Sequence, residues 1–450
     1  MGVSSAGKRH LFEFSGSGWF EKGVGVGSTS RKRLEFKNPF RLNLLIANVY
    51  RYDQKNCFGI PDAGGLRSMC WKLLLNYLPL QEAARPSTLQ AQRRLYKQLI
   101  GDLTVGSFDI SDEMISSPNG EQDDPLGVNP TSSWGVYFKD NEVLLQIDKD
   151  VRRLCPDISF FQSATEFPCA QVVNSSGDKR LHKRVENSPF NYETLEKKGV
   201  GLKRVRKLIT SRNLSFRLFK NFRNFTILKK CVGKSVNDSS DYRPMDEGSE
   251  AHWEVVERIL FLYAKLNPGQ SYVQGMNEII GPIYHIFAID PTASFRENAE
   301  ADSFFCFTNL MSEIRDFFIK DMDEAEGGIN QMMDKLERAV QTYDEELWKR
   351  LKELDIKPQY YSFRWLTLLL SQEFPLPDVE RIWDSLFADY NRFEFLLYIC
   401  CAMIVLQREQ ILSSDFATVV KLLQSYPPMD ISDILSKAVC IRDSRITTPQ

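Results

Sequence analysis

The fold class follows from the stretch LRSMCWKLLLNYLP at residues 66–79. Its apolar residues recur at steps of three and four, which places them on one face of an α-helix. They are Leu66, Met69, Cys70, Leu73, Leu74, Tyr77 and Leu78. Pro79 cannot continue a helix, because it lacks the backbone N–H and its ring clashes with the preceding turn. The stretch therefore predicts an amphipathic helix that ends before Pro79.

The same periodicity recurs through most of the chain towards the C-terminus. It resumes near Lys139, runs along one stripe to Leu154, and stops at Pro156. Residues 101–135 contain three prolines and an Asn-Gly pair and are predicted to be a loop. Strand-like alternation is scarce, so we expect an all-α fold from Gly59 onward. Further helices are predicted at 251–266, 275–288, 299–320, 330–354, 359–373, 376–387, 392–409 and 415–424.

The composition is that of a soluble protein with a large core. Of the 450 residues, 43% are hydrophobic and 26% charged, and the formal net charge of −2 implies no bulk attraction to nucleic acid or acidic lipid. The nine cysteines form no CxxC pair, and the four histidines show no metal-ligand spacing. The longest apolar run, Phe395 to Leu406, has 12 residues, whereas a membrane span needs about 20. We therefore expect a cytoplasmic protein without a metal.

Two segments depart from this pattern. Residues 1–45 are rich in Gly, Ser and basic residues without any sustained period, so we expect them to be poorly structured. Between Asp178 and Lys234 there are 17 Lys and Arg against 4 Asp and Glu, an excess of 13 positive charges. This part has no clean apolar stripe, and we interpret residues 171–248 as a basic inserted loop.

The basic insert has several interpretations. It can be a solvated linker, or a segment attracted to anionic membrane, at about 1 kcal/mol per basic residue near the surface. Nuclear import or nucleic-acid contact is a third, since aromatic residues are interleaved with the charges, but no RNA-binding motif frames them. Part of it could also be a gene-model artefact. We expect no nucleic-acid partner and keep peripheral contact with endomembranes open.

Two short stretches have residue types suited to phosphate chemistry. The first is IDKDVRRLCP at residues 147–156, where Asp150 and Arg153 are helix neighbours at a spacing of three. A carboxylate at that position can hold a guanidinium in one pose, which lowers the entropy lost when it docks. The second is SYVQGMN at residues 271–277. Pro268 and Gly269 break the preceding helix, so Gln274 is predicted on a loop leading into a helix, and its amide can orient a water against a phosphate.

These stretches resemble the IxxDxxR and YxQGM motifs of the TBC domain, whose members are GTPase-activating proteins for Rab GTPases. Ile147, Asp150 and Arg153 match the first motif, and Tyr272, Gln274, Gly275 and Met276 match the second. Arg67 and Trp71, four residues apart, are similar to a third family element, and 363–365, 373–376 and 381–384 also resemble the family. Several family elements occur in the family's order over about 330 residues, so chance is a poor explanation of the resemblance.

The resemblance implies a helical fold of two subdomains over residues 46–450. It implies that the chain is not an independent enzyme but completes the site of a GTP-loaded Rab, with Arg153 as arginine finger and Gln274 as glutamine finger. Asp150, Ile147, Tyr272, Gly275 and Met276 would support the fingers, and Arg67 and Trp71 would hold the fold. No cofactor is expected, because GTP and Mg²⁺ belong to the partner.

Other functions remain as alternatives. In isolation, Arg153 could be a solvated arginine whose charge suits a helix C-terminus. The family often has Thr-Phe-Pro after the arginine, whereas this chain has Leu154-Cys155-Pro156, and its motifs are unusually far apart. A non-catalytic Rab-binding scaffold therefore stays open, and the basic insert keeps a membrane-surface adaptor open. A hydrolase is disfavoured by the absence of GxSxG, GxxxxGK[ST] and HExxH sequences.

Overall fold

The computed structural model describes residues 59–60, 64–105, 133–173, 179–186, 245–246, 248–318 and 328–446. Regular structure in these residues is helical, apart from a single β-bridge between Ala164 and Ala251. The helices are α1 (Leu66–Leu74), α2 (Arg85–Leu99), α3 (Ser133–Val151), α4 (Ala170–Val173), α5 (Leu181–Glu186), α6 (His252–Leu266), α7 (Met276–Ala288), α8 (Ala293–Arg296), α9 (Ala299–Ile314), α10 (Ile329–Tyr343), α11 (Glu345–Glu353), α12 (Ser362–Thr367), α13 (Leu376–Ala388), α14 (Arg392–Leu406), α15 (Arg408–Ser413), α16 (Phe416–Gln424) and α17 (Ile431–Ile446). The all-α prediction is confirmed.

The chain divides into two compact units. Unit 1 comprises the described residues of Met1–Arg93, Leu266–Val273 and Glu278–Gln450. Unit 2 comprises those of Arg94–Lys265 and Gln274–Asn277. This division places its boundaries at other residues than the predicted domain boundaries at 45, 171 and 248, and does not bear on them. Residues 1–45 lie outside the residues that the structure describes.

The helix from which the fold was predicted ends earlier than its apolar stripe. α1 stops at Leu74 because Asn76 takes a left-handed backbone conformation, with φ of 58°. The N–H groups of Tyr77 and Leu78 both turn back to the carbonyl of Lys72, at 3.0 and 2.9 Å. These bonds satisfy a helix-end carbonyl and keep both side chains buried without continuing the helix.

Most predicted helices are present, but several are broken or shortened. The predicted helix 330–354 is two helices, because Asp344 is extended and its carboxylate caps α11 by accepting the N–H of Leu347 at 2.9 Å. The predicted helix 359–373 shrinks to α12, since Leu369 and Leu370 are left-handed. The predicted helix 392–409 divides at Gln407. α2, α4, α5, α8 and α17 were not predicted.

The long apolar run forms the centre of unit 1. α14 is buried on all sides from Phe395 to Val405 and packs against α10 and α17. A helix that is apolar around its whole circumference has to be enclosed by protein or lipid, and here neighbouring helices enclose it. In the part of the chain that the structure describes, no helix is long and apolar enough to cross a bilayer.

Unit 2 is built on α3 and α6 and contains buried charge pairs. Arg258 is paired with Glu250, and both are buried. α5 packs against α3, where Nε of Arg184 donates to Oδ1 of Asn141 at 2.5 Å. Nδ1 of His182 lies 3.0 Å from Oε1 of Glu254 on α6. The loop prediction is therefore wrong for residues 181–186, because these polar side chains bind the neighbouring helices. Most of the basic insert lies outside the described residues.

Candidate functional site

The sequence predicted Arg153 in the last turn of a helix, but it lies just beyond the helix end. α3 ends at Val151, and the N–H of Arg153 bonds to the carbonyl of Asp150 at 3.1 Å, closing a tight turn. Leu154 is fully buried, and Cys155 is left-handed with φ of 42°. The helix stops early because the chain must turn to bury Leu154, and this turn directs the neighbouring Arg153 outward.

The guanidinium of Arg153 is bound by groups of its own turn, while half of the side chain is exposed. Nη2 donates to Oδ1 of Asp150 at 2.6 Å, and Nε donates to the carbonyl of Lys149 at 2.9 Å. The side chain of Arg153 is nevertheless 51% exposed, whereas that of Asp150 is only 6% exposed. A buried carboxylate thus holds an exposed guanidinium, the arrangement expected of a preorganised anion-binding group.

The neighbouring Arg152 is held differently. Its Nε donates to Oδ1 of Asp148 at 2.8 Å, and its guanidinium lies 4.5 Å from the centre of the Trp253 ring. Burial raises the pKa of Glu257 well above its ordinary value, and the negative charge of Asp148 adds to the rise while Arg152 opposes it. Arg152 therefore stabilises the interior of unit 2, and Arg153 is the more exposed of the two adjacent arginines.

The second predicted stretch is a loop that enters a helix, as expected. α7 begins at Met276, and the preceding Gln274 is exposed. Gly275 has φ of 104°, a conformation that residues with a Cβ rarely adopt. Tyr272 and Met276 on either side are buried, as is Ile147 on α3. The predicted packing role of these three residues is consistent with their burial, and in the second motif Gln274 is the exposed side chain.

One residue not predicted from sequence connects the two stretches. Nδ2 of Asn277, the second residue of α7, donates to the carbonyl of Asp150 at 3.4 Å. Asn277 is 4% exposed. Arg153, Asp150, Gln274 and Asn277 all belong to unit 2. An asparagine at a helix start is a common capping residue, so its sequence context did not indicate a partner 127 positions away.

Arg67 and Trp71 meet at a different carboxylate, in unit 1. Nε of Arg67 lies 3.0 Å from Oδ2 of Asp384 on α13, and Nε1 of Trp71 donates to Oδ1 at 2.7 Å. The N–H of Ile60 also donates to Oδ2 at 3.0 Å. Burial raises the pKa of Asp384 to about 6, although Arg67 and the N–H donors act in the opposite direction. These contacts stabilise the packing of α1 against α13, in line with the predicted structural role.

No metal site is found in the residues that the structure describes, where no group of three or more His, Cys, Asp or Glu side chains could hold an ion. The acceptors bound by Arg153 are the carboxylate of Asp150 and the backbone carbonyls of Lys149 and Asp150. The exposed part of the guanidinium offers hydrogen bonds and positive charge to an anion.

Known proteins resemble this chain over most of its length. The Rab-GTPase-TBC domain matches residues 232–412, a range that contains Gln274 but begins after Arg153. Human TBC1 domain family member 13 is 51% identical over 394 residues, covering 86% of this chain and 92% of that protein. A TBC domain-containing protein of Schizosaccharomyces pombe is 36% identical over 438 residues, covering 87% of this chain and 69% of that protein.

A solved structure agrees with the helical architecture. The crystal structure of the Ypt/Rab-GAP domain of Gyp1p aligns with a TM-score of 0.53, covering 89% of this chain and 99% of that one. Its sequence identity is 19%, so the likeness concerns the fold.

Proposed function

This chain belongs to the Rab-GTPase-TBC domain family of GTPase activators, and we propose that it accelerates GTP hydrolysis on a Rab-family GTPase by supplying Arg153 and Gln274 in trans. GTP hydrolysis by such GTPases is slow, because charge accumulates on the transferring phosphoryl oxygens and the attacking water is poorly placed. The two side chains address these two problems separately.

Arg153 is the proposed arginine finger. A guanidinium offers a planar positive fork that neutralises phosphate charge, and arginine fingers are worth about 10³ to 10⁵ in rate, or roughly 4 to 7 kcal/mol of barrier. The single observation that carries the proposal is that the Arg153 side chain is 51% exposed while a carboxylate that is 6% exposed binds it. This arrangement supports a finger whose pose is set before the partner arrives.

Gln274 is the proposed water-positioning residue. Its amide can accept a hydrogen bond from the water while donating one to a phosphate oxygen. Its exposure on the loop before α7, in the same compact unit as Arg153, supports this role. The nucleotide and Mg²⁺ would be held by the GTPase, so the activator itself would need no cofactor.

The experiment is a single-turnover GTP hydrolysis assay with a panel of GTP-loaded Rab proteins. We expect the wild-type chain to accelerate at least one Rab, Arg153→Ala to lose about 10³-fold or more, and Gln274→Ala to lose about 100-fold. Two matched controls are Arg315→Ala, whose side chain is 61% exposed, and Gln410→Ala, which is also exposed. Both controls lie in unit 1 and are expected to retain full activity.

The same assay separates activation from scaffolding. Tight GTP-dependent binding without any rate enhancement would make the chain a non-catalytic Rab-binding scaffold. If no Rab is accelerated, or if Arg153→Ala is as fast as the wild type, the proposed mechanism is wrong.

Peripheral membrane contact by the basic insert is a separate proposal, motivated by the excess of positive charge in residues 178–234. The test is sedimentation with anionic liposomes after deletion of residues 187–234, a deletion that spares the packed helix α5. Unchanged liposome binding would contradict the proposed membrane contact.

A further inference from the structure

We propose that Asn277 is a positioning residue, which fixes the loop carrying Gln274 against the turn carrying Arg153. The inference rests on the proposed function, because it concerns how the two fingers are held for one reaction. Its basis is a hydrogen bond that joins the two stretches.

Asp150 lies at the centre of this connection. Its carboxylate accepts from Nη2 of Arg153 at 2.6 Å, and its carbonyl accepts from both the N–H of Arg153 at 3.1 Å and Nδ2 of Asn277 at 3.4 Å. The backbone and the side chain of one buried residue thus bind both the finger and Asn277 within unit 2. A displacement of Asn277 relative to Asp150 would therefore alter the distance between the two proposed catalytic groups.

The hydrogen bond between Asn277 and Asp150 lies close in sequence to both proposed fingers. Asn277 follows Gln274 by three residues, and Arg153 follows Asp150 by three. Asn277 belongs to a regular helix that begins at Met276, and it is 4% exposed, so its side chain has little freedom. Reaction rates are sensitive to such distances, since a displacement of about 1 Å can cost about 100-fold.

The chemistry of the acceptor explains why an amide is suited to this position. A backbone carbonyl needs a donor, and the amide nitrogen of asparagine supplies one. Aspartate has the same shape but no donor when ionised, and its charge would repel the carbonyl oxygen. Asn277→Asp should remove the link, and the favourable position of a negative charge near the start of α7 offsets part of the cost of burying that charge.

The matched control is Asn309 in α9 of unit 1. Its Nδ2 donates to the carbonyl of Leu75 at 2.9 Å, a bond of the same type between elements distant in sequence. Asn309→Asp therefore reports what the loss of an amide-to-carbonyl link does to the fold alone.

The test is single-turnover hydrolysis by a Rab that the wild type accelerates, measured over a range of activator concentrations. We expect Asn277→Asp to lower the maximal rate by about 10- to 100-fold with little change in the half-saturating concentration, and Asn309→Asp to leave both within about twofold. Asn277→Ala serves as the second variant if Asn277→Asp does not fold, as judged by circular dichroism and thermal unfolding.

A double-mutant comparison distinguishes positioning from a general loss of structure. In an Arg153→Ala background, Asn277→Asp is expected to cost less than threefold, because there is no arginine finger left to position. The same fractional loss in both backgrounds, or a wild-type rate for Asn277→Asp, overturns the inference and leaves the proposed function intact. A wild type that accelerates no Rab overturns both.

Discussion

The carboxylate of Asp150 lies 2.6 Å from Nη2 of Arg153, with the acid buried and the arginine half exposed. The two residues are three positions apart and share one turn at the end of α3. Because the acid cannot follow the arginine outward, the pair limits the positions that the guanidinium can occupy. This relationship leads directly to the first expected outcome.

Replacement of Asp150 by asparagine should reduce activation without removing it. The amide oxygen can still accept a hydrogen bond, but a charge-assisted bond is roughly twice as strong as a neutral one. We expect Asp150→Asn to lower the single-turnover rate by about tenfold with little effect on Rab binding. Asp316→Asn is the control, since the half-buried Asp316 carboxylate lies 3.7 Å from Nε of the exposed Arg315. Equal rates for Asp150→Asn and the wild type would show that Arg153 needs no such anchor.

Gly275→Ala should strain the loop that carries Gln274. Gly275 has φ of 104°, and holding a residue with a Cβ there costs on the order of 1 to 3 kcal/mol. We expect chemical denaturation to show a free energy of unfolding lower by about this amount, with activation reduced further as the loop relaxes. Gly101→Ala, in the same unit, is the control, because a Cβ at Gly101 would meet nothing within 4 Å and its φ is not left-handed. An unchanged stability for Gly275→Ala would contradict the strain argument.

Arg67→Ala should affect stability and not chemistry. It leaves the buried Asp384 without its cationic partner, and breaking such a pair typically costs about 3 to 5 kcal/mol. We expect urea unfolding at a lower concentration, with the activation rate per folded molecule unchanged. A variant that retains wild-type stability but loses activation would instead place Arg67 in the reaction.

Stability should depend on pH through Asp384. Burial raises the pKa of this carboxyl to about 6 from an ordinary value of 3.8, so the folded state favours its protonated form. Its contribution to stability is therefore fully present below about pH 4 and declines as pH rises to about 6. Above that pH the contribution is constant.

The measurement is the free energy of unfolding of the wild type and of Asp384→Asn, by urea titration between pH 4 and 7. Other carboxyl groups titrate in both proteins, so the difference between the two curves isolates Asp384. We expect the wild type to lose stability relative to the variant between pH 4 and 6. A difference that is constant over this range, or that changes in the opposite direction, would show that the pKa is not raised.

Local features of the fold were predictable because they depend on neighbours in the chain. The spacings of apolar residues that predicted α6, α7, α13 and α16 are properties of short windows of sequence. The helix breaks at Asp344 and Gln407 were missed, because apolar spacing continues through them and the break depends on capping and packing. α2 was missed for the opposite reason: its only buried side chain is Tyr96, so it has little apolar stripe.

The sequence by itself determined the helical class, the two motifs, and the residue types at Arg153, Asp150 and Gln274, since each of these is encoded within a few adjacent positions. Only the tertiary structure decided that Arg153 rather than Arg152 is the more exposed arginine, that Arg67 and Trp71 share Asp384, and that Asn277 joins the two motifs. The bond between Asn277 and Asp150 spans 127 positions, and no local pattern specifies which distant carbonyl a buried amide will meet. That choice is made by the packing of helices, which places groups by shape and burial and not by their separation along the chain.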